Sequence, residues 1–290
     1  MNGQRGFTLI ELAIVLVILM VLAGGLLVPL TTRIETRRIA ETQKILEEAR
    51  DAILGYTMSH KASDTCTCMY QTDTTLDASS SCPVSFCQPT GPAGATLSFA
   101  RHYLPCPDLS NTDPEPNLDN DGVGGFTDLN NGAEDRLLTG PNAGDCAASS
   151  GNLPWVTLGT ASQDAWGNRI HYSLTSPYGK LSTGFSGSST GNLQICATST
   201  GGCIIGTVAT NVPAVLVSYG PNGWGARNVN GTMLSAPSGA DELENTDADT
   251  SFVSRAPTQT GSSGGEFDDL VVWIPDALLR SRVCPSSGCP

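Results

Sequence analysis

Residues 7–30 read FTLIELAIVLVILMVLAGGLLVPL, apolar from Leu12 to Leu30 with one carboxylate, Glu11, at the head of the run. About 20 apolar residues in a helix have the length to cross a bilayer. A carboxylate within such a segment costs about 2.5–3.5 kcal/mol on insertion scales, so it usually has a partner and a function. A secretory signal peptide has a shorter apolar core, followed by small residues at a cut site. Here the run is longer and leads through Pro29 into a charged stretch. A plain membrane anchor fits the length and leaves Glu11 unexplained.

The stretch Gly6-Phe7-Thr8-Leu9-Ile10-Glu11 resembles the processing signature of type IV pilins and type II secretion pseudopilins. The resemblance implies a leader, residues 1–6, that a prepilin peptidase cuts between Gly6 and Phe7. It also implies N-methylation of Phe7 and a role for Glu11 in assembly. Cleavage leaves an α-amine close to Glu11, and in a filament the Glu11 of one subunit can neutralise the terminal amine of its neighbour. A buried charge stripped of its partner is strongly destabilising, so such a pair sets register.

The fold implied is α+β and pilin-like: a long N-terminal helix, membrane-spanning in its first half, packed on a C-terminal antiparallel β-sheet domain with disulfide-rich loops. Similarity to large-bodied pseudopilin-like proteins extends to RRIAETQKILEEARDAILGY, LPCPD, LPW followed by LG, DAWGNRIHYSL and EFDDLVVWIP. Two positions depart from the family pattern: Pro29 falls one residue late, and Met20 stands where many members have Gly.

The resemblance implies a leader (1–6) and a transmembrane or filament-core helix (7–30), and pattern and composition mark off an amphipathic helix half (31–56), an irregular connection (57–105) and a globular β-rich domain (106–290). In the amphipathic half Thr42, Ile45, Leu46, Ala49, Ala52, Ile53 and Tyr56 recur at spacings of 3 and 4, which marks one face of a helix. Arg37–Glu41 and Lys44–Glu48 pair charges at i,i+4 on the other face, and Gly55 is a terminator. From Phe7 to Leu54 a continuous helix is about 72 Å long, with a kink expected at Pro29. Strands are predicted at 169–174, 193–197, 212–220 and 269–275, and PDALLRSR reads as a short terminal helix. Gaps without helical periodicity predict an antiparallel sheet.

With 32 Gly, 18 Pro and only 15% charged residues in 290, the globular part is loop-rich. A net charge of −13 argues against nucleic acid as a partner, because phosphate contacts need basic clusters. The ten cysteines fit disulfides of an oxidising compartment better than zinc, since no C-x-x-C occurs and His60, His102 and His171 lack ligand spacing. Short loops favour Cys196–Cys203 and Cys284–Cys289, and Cys106–Cys146 would close an acidic loop. That leaves Cys66, Cys68, Cys82 and Cys87 to pair among themselves.

No cofactor is required by any motif, and calcium is the one ligand suggested. Asn117, Asp119, Asp121, Gly122 and Asp128 fall at positions 1, 3, 5, 6 and 12 of an EF-hand-like loop. Pro114 and Pro116 preclude a normal entering helix, and a polar surface loop is an equally good account. In ADELENTDADTSF, residues Asp241, Glu242, Glu244, Asp247 and Asp249 lack regular spacing, so a solvated loop is favoured over an ion site or subunit contact. GSSGG (261–265) matches G-x-S-x-G without the following helix that a nucleophile elbow needs. Trp155, Trp166, Trp224 and Trp273 are expected in core packing.

The resemblance implies a structural subunit and not an enzyme, assembled into a type II secretion pseudopilus or a type IV pilus-like filament. Its partners would be other copies of itself and related pilins, the prepilin peptidase, an inner-membrane platform with a cytoplasmic ATPase, and lipid before assembly. It would sit in the bacterial inner membrane with the C-terminal domain periplasmic, then in a periplasmic pseudopilus or a surface pilus. The rival from another class is a membrane-anchored periplasmic binding domain or enzyme that uses a pilin-like export signal.

Overall fold

The first element of the chain, α1, is one helix from Leu9 to Ser59, 51 residues long and unbroken at Pro29. The computed structural model describes residues 9–62, 101–109, 131–137, 144–181, 183–200, 203, 206–247, 249–262, 265–284 and 288–289, without the side chains of 21–32. The chain divides into two units, Met1–Glu41 and Thr42–Pro290.

In the second unit the α1 face predicted from its periodicity is the buried one: Thr42, Leu46, Ala49 and Ile53 are fully buried, and Thr57 extends the stripe. Lys44 and Glu48 pair at 3.4 Å on the solvent side. Gly55 does not end the helix. It is exposed, and the turn that follows is closed by Ser59 Oγ donating to the Tyr56 carbonyl at 2.9 Å and by the His60 amide donating to the same oxygen at 3.0 Å.

Two sheets follow. The first has strand order β1-β2-β5-β7, formed by β1 (Ser150–Asn152), β2 (His171–Leu174), β5 (Ala214–Ser218) and β7 (Leu270–Ile274), with every pairing antiparallel. The second has order β4-β3-β6, formed by β3 (Leu193–Cys196), β4 (Thr207–Val212) and β6 (Ser251–Val253). The single antiparallel sheet expected from sequence is thus two sheets, and β3 runs parallel to β6. Short helices α2 (Trp155–Leu158), α3 (Ala240–Glu244) and α4 (Asp276–Val283) and a 3-10 turn at Ser176–Tyr178 complete the described elements.

β5 explains why these layers hold together. Strand side chains alternate between faces, and all five of its residues are buried. Ala214 and Leu216 join Leu46, Ile53, Tyr172, Ile274 and Leu279 in one core, between the sheet, α1 and α4. Val215 and Val217 join Ile195, Val212, Tyr219 and Phe252 in a second core, toward the other sheet. Fully burying each large apolar side chain contributes roughly 1.5–3 kcal/mol. Among the described residues the fully buried aromatics are Tyr172, Tyr178, Phe185, Phe252 and Phe267. The four tryptophans instead lie half-buried at the margins; Trp155 stacks under the Arg169 guanidinium at 3.9 Å. An indole N–H is easier to satisfy near water than in a dry core.

Among the described residues, disulfides link Cys106–Cys146, Cys196–Cys203 and Cys284–Cys289, with Cα separations of 5.2, 5.3 and 4.9 Å. Cys66, Cys68, Cys82 and Cys87 lie outside the described residues.

Candidate functional site

Glu11 stands in the first turn of α1. Around it the helix displays apolar side chains on every side, from Leu9 (89% exposed) and Ile10 to Leu19 and Met20 (71%). A helix that is hydrophobic all round belongs in a membrane or inside a larger assembly. Among the described residues no helix is long and apolar enough to cross a membrane; the side chains of the run are described only as far as Met20. Gly6 and Phe7 lie outside the described residues, as do Asn117, Asp119, Asp121 and Asp128.

A different group of carboxylates comes together in the second unit. Glu242, on α3, meets Asp268 and Asp269, which immediately precede β7, with one carboxylate oxygen from each within 4.8 Å of the others. The pairing of β5 with β7 positions them: Ser218 opposite Leu270 brings the turn after β5 against Asp268. Gly220 in that turn has φ +60°, and a Cβ there would lie 2.4 Å from Asp268 Oδ1. Only glycine permits that approach.

Asn222 ties the group together. Its side-chain amide donates to Glu242 Oε1 at 3.2 Å, and its backbone N–H donates to Asp268 Oδ2 at 3.3 Å. The Asp268 N–H also donates to Glu242 Oε1 at 3.1 Å. Asp269 Oδ2 accepts from the Asn245 amide at 2.8 Å, and Asn245 is itself locked to both backbone groups of Val253.

Glu242 is 1% exposed, and its second oxygen, Oε2, is buried without a hydrogen-bond partner. An unsatisfied buried carboxylate oxygen is costly unless something positive meets it. Burial, with Glu242 and Asp268 beside it, raises the Asp269 carboxyl well above its ordinary range. Burial also raises Glu242, and the charge of Glu266 adds to that rise. Three carboxylates, without a thiolate or imidazole among them, form a donor set for a hard divalent cation. The solvated loop expected over 241–249 is therefore corrected at its start, where Asp241 and Glu242 are buried on α3. Although burial opposes it, hydrogen bonds from Ser199 and Thr198 and the charge of Arg255 hold the Asp241 carboxyl below its ordinary value.

A cavity of about 300 Å³ opens elsewhere in this unit, lined by Ser150, Asn152, Arg169, His171 and Arg227 among others. His171 Nε2 lies 3.1 Å from the hydroxyls of both Ser150 and Ser173. Burial lowers its pKa to about 4, and among the described residues no carboxylate hydrogen-bonds to its ring. A neutral imidazole with no orienting acid is a poor general base. His60 and His102 bond to backbone carbonyls at the end of α1.

Residues 1–27 match the family model of the prokaryotic N-terminal methylation motif, the signature of type IV pilins and pseudopilins. No curated protein and no solved structure matches the chain.

Proposed function

We propose that this chain is a structural, prepilin-like subunit: inserted in the bacterial inner membrane, cut between Gly6 and Phe7, methylated on Phe7, and built through its N-terminal helix into a type II secretion pseudopilus or type IV pilus-like filament. The observation that carries this is the methylation motif over residues 1–27, continuous with a helix whose apolar side chains face outward from Leu9 to Met20. Those side chains suit lipid before assembly and neighbouring subunits afterwards. The peptidase, an assembly platform with its ATPase, and related pilins are the partners this implies. Intact-mass analysis of membrane-derived protein tests it: residues 1–6 are absent and Phe7 carries a methyl group, whereas a full-length N-terminus in peptidase-competent cells refutes it.

The globular unit, on this proposal, is stabilised by a divalent cation, calcium, between Glu242, Asp268 and Asp269. The buried, unpartnered Oε2 of Glu242 supports that placement. The 117–128 loop, with Asn117, Asp119, Asp121 and Asp128, is proposed as a separate calcium site on its spacing alone. Calcium bound only by the folded chain stabilises it by about 2.7 kcal/mol at a hundredfold excess over Kd. The melting midpoint therefore rises with calcium over chelator. If Asp269→Asn abolishes the rise, it belongs to the cluster; if Asp121→Ala does, it belongs to the loop. No rise in the wild type refutes both.

A further inference from the structure

Asp241 and Glu242 are neighbours on α3, a helix of five residues. So short a helix has little stability of its own, and Gly239 at its N-cap provides no side-chain hydrogen bond. Glu242 and the C-cap residue Asn245 hold α3 on one side, and the Asp241 carboxylate anchors it on the other. Its Oδ1 accepts the Ser199 N–H at 2.8 Å, the Ser199 hydroxyl at 2.8 Å and the Thr198 hydroxyl at 3.1 Å, while its Oδ2 faces Arg255 Nε at 2.6 Å. Arg255 adds the charge pair, and the three hydrogen-bond donors all belong to Thr198 and Ser199. Both lie in the loop that the Cys196–Cys203 disulfide closes across seven positions.

The crosslink closes that loop at a residue of unusual backbone conformation. Cys203 has φ +63°, a left-handed conformation that a non-glycine residue holds only when its surroundings impose it. Its carbonyl accepts the Thr207 hydroxyl at 2.7 Å, and the Ala197 N–H donates to the Gly206 carbonyl at 2.8 Å. Cys196 and Cys203 are 0% and 3% exposed, so the finished bond lies inside the fold. From the disulfide to the cation cluster the path is short: Cys196–Cys203, then Thr198 and Ser199, then Asp241, then Glu242.

We infer that the Cys196–Cys203 disulfide is a positioning element for the cation cluster, so that oxidation of this pair makes the chain competent to bind calcium at Glu242, Asp268 and Asp269. This rests on the proposed cation site. The covalent step is thiol–disulfide exchange with a disulfide-bearing oxidant. The two cysteine thiols lose two protons and two electrons as their S–S bond forms, and the oxidant's S–S bond is reduced to two thiols. A reduced chain leaves Thr198 and Ser199 free to move and Asp241 short of donors. Glu242 then keeps its bonds from Asn222 and the Asp268 N–H but loses the anchor at its neighbour, so its second oxygen is held less firmly. Outer-shell groups of this kind typically change metal affinity by about 10–100-fold.

Calcium titration of the full-length oxidised protein in detergent micelles tests this, with Glu242→Gln as the control that lacks a ligand. Cys196→Ala/Cys203→Ala is expected to weaken calcium binding by about tenfold or more. Thr198→Ala/Ser199→Ala, which keeps the disulfide, is expected to do the same, and Thr198→Ser/Ser199→Thr to restore affinity by restoring both hydroxyls. The hydroxyl pair keeps the test decisive if the cysteine variant fails to fold. Wild-type affinity in Thr198→Ala/Ser199→Ala overturns the coupling while leaving the cation site standing. Failure of the wild type to bind calcium, or equal binding by Glu242→Gln, overturns the cation site and this inference with it.

Discussion

The hydroxyl of Tyr56, near the end of α1, donates to Oε1 of Glu134 at 2.8 Å, across 78 positions of sequence. The other Glu134 oxygen accepts the Cys106 N–H and the Arg136 guanidinium, each at 2.9 Å. Arg136, almost fully buried, also donates to the carbonyls of Gly144 and Gly179. Through this network the amphipathic helix is tied to the segment beside the Cys106–Cys146 bond. Burial, and the Glu134 charge after it, push the Tyr56 phenol far above its ordinary pKa, so it remains a donor at any working pH.

Tyr56→Phe removes that donor and keeps the ring. Losing one partner from a buried network costs about 1–3 kcal/mol. Thermal melting of the full chain is expected to show a lower midpoint, and an unchanged midpoint would mean the bond contributes nothing net.

Glu11→Gln keeps the size of the side chain and removes its charge. The variant is expected to insert and to be cleaved, because the membrane run becomes no less apolar. Docking into the filament is expected to fail, since the neighbouring amine would be buried unpaired at a cost of about 3–5 kcal/mol. Sheared filaments from cells expressing only the variant measure this; normal length and yield would show that Glu11 does not form the pair.

The cation cluster makes a combined prediction for pH and calcium. Asp269 and Glu242 have folded pKa values above their ordinary ones, so the folded chain binds their protons more tightly than the unfolded chain. Their contribution is present below the unfolded pKa and is lost as pH rises through the folded values. In chelator the melting midpoint should therefore decline across that rise. In calcium the decline should flatten, because the cation offsets the crowded charges. Parallel curves in calcium and chelator would exclude the cluster as the binding site.

His171 acts with the opposite sign. Its pKa falls from 6.5 to about 4 in the folded chain, because burial disfavours the imidazolium. Its stabilising effect is complete above the unfolded value and is lost as pH falls through that window, to a limit of ~3 kcal/mol. His171→Gln removes the titration, so the difference in melting midpoint between wild type and variant should shrink as pH falls from 7 toward about 4. A constant difference would show that the residue does not titrate there.

The elements legible in the sequence are those whose pattern reports one environment. Thr42, Leu46, Ala49 and Ile53 share a helix face buried in a single core, so their spacing of 3 and 4 is clean. Residues 214–218 read as a strand because burial on both faces leaves an unbroken apolar run. β4 (TVATNV) was not legible, since it is mostly exposed at a sheet edge and its pairing with β3 shifts register. β6, three residues long, runs parallel to β3, and no local signal specifies that pairing.

The carboxylate cluster was hidden for a related reason. Glu242 and Asp268 are 26 positions apart, and only the β5–β7 register and the Gly220 turn bring them together. The contiguous acidic stretch at 117–128 has the more conspicuous spacing. A paired Asp just before a strand is the available hint, and the strand predicted over 269–275 takes in its second member, Asp269.

The double burial of β5 bears on how this protein can vary. Val215 and Leu216 are adjacent in sequence but serve opposite cores, so a shift of this backbone that accommodates a change on one side disturbs packing on the other. The strand is a party wall, and altering it requires agreement from both rooms. β4 carries no such obligation along most of its length, with Thr207, Val208, Thr210 and Asn211 exposed. The outward chemistry of the chain can therefore be redrawn along that edge without renegotiating the interior.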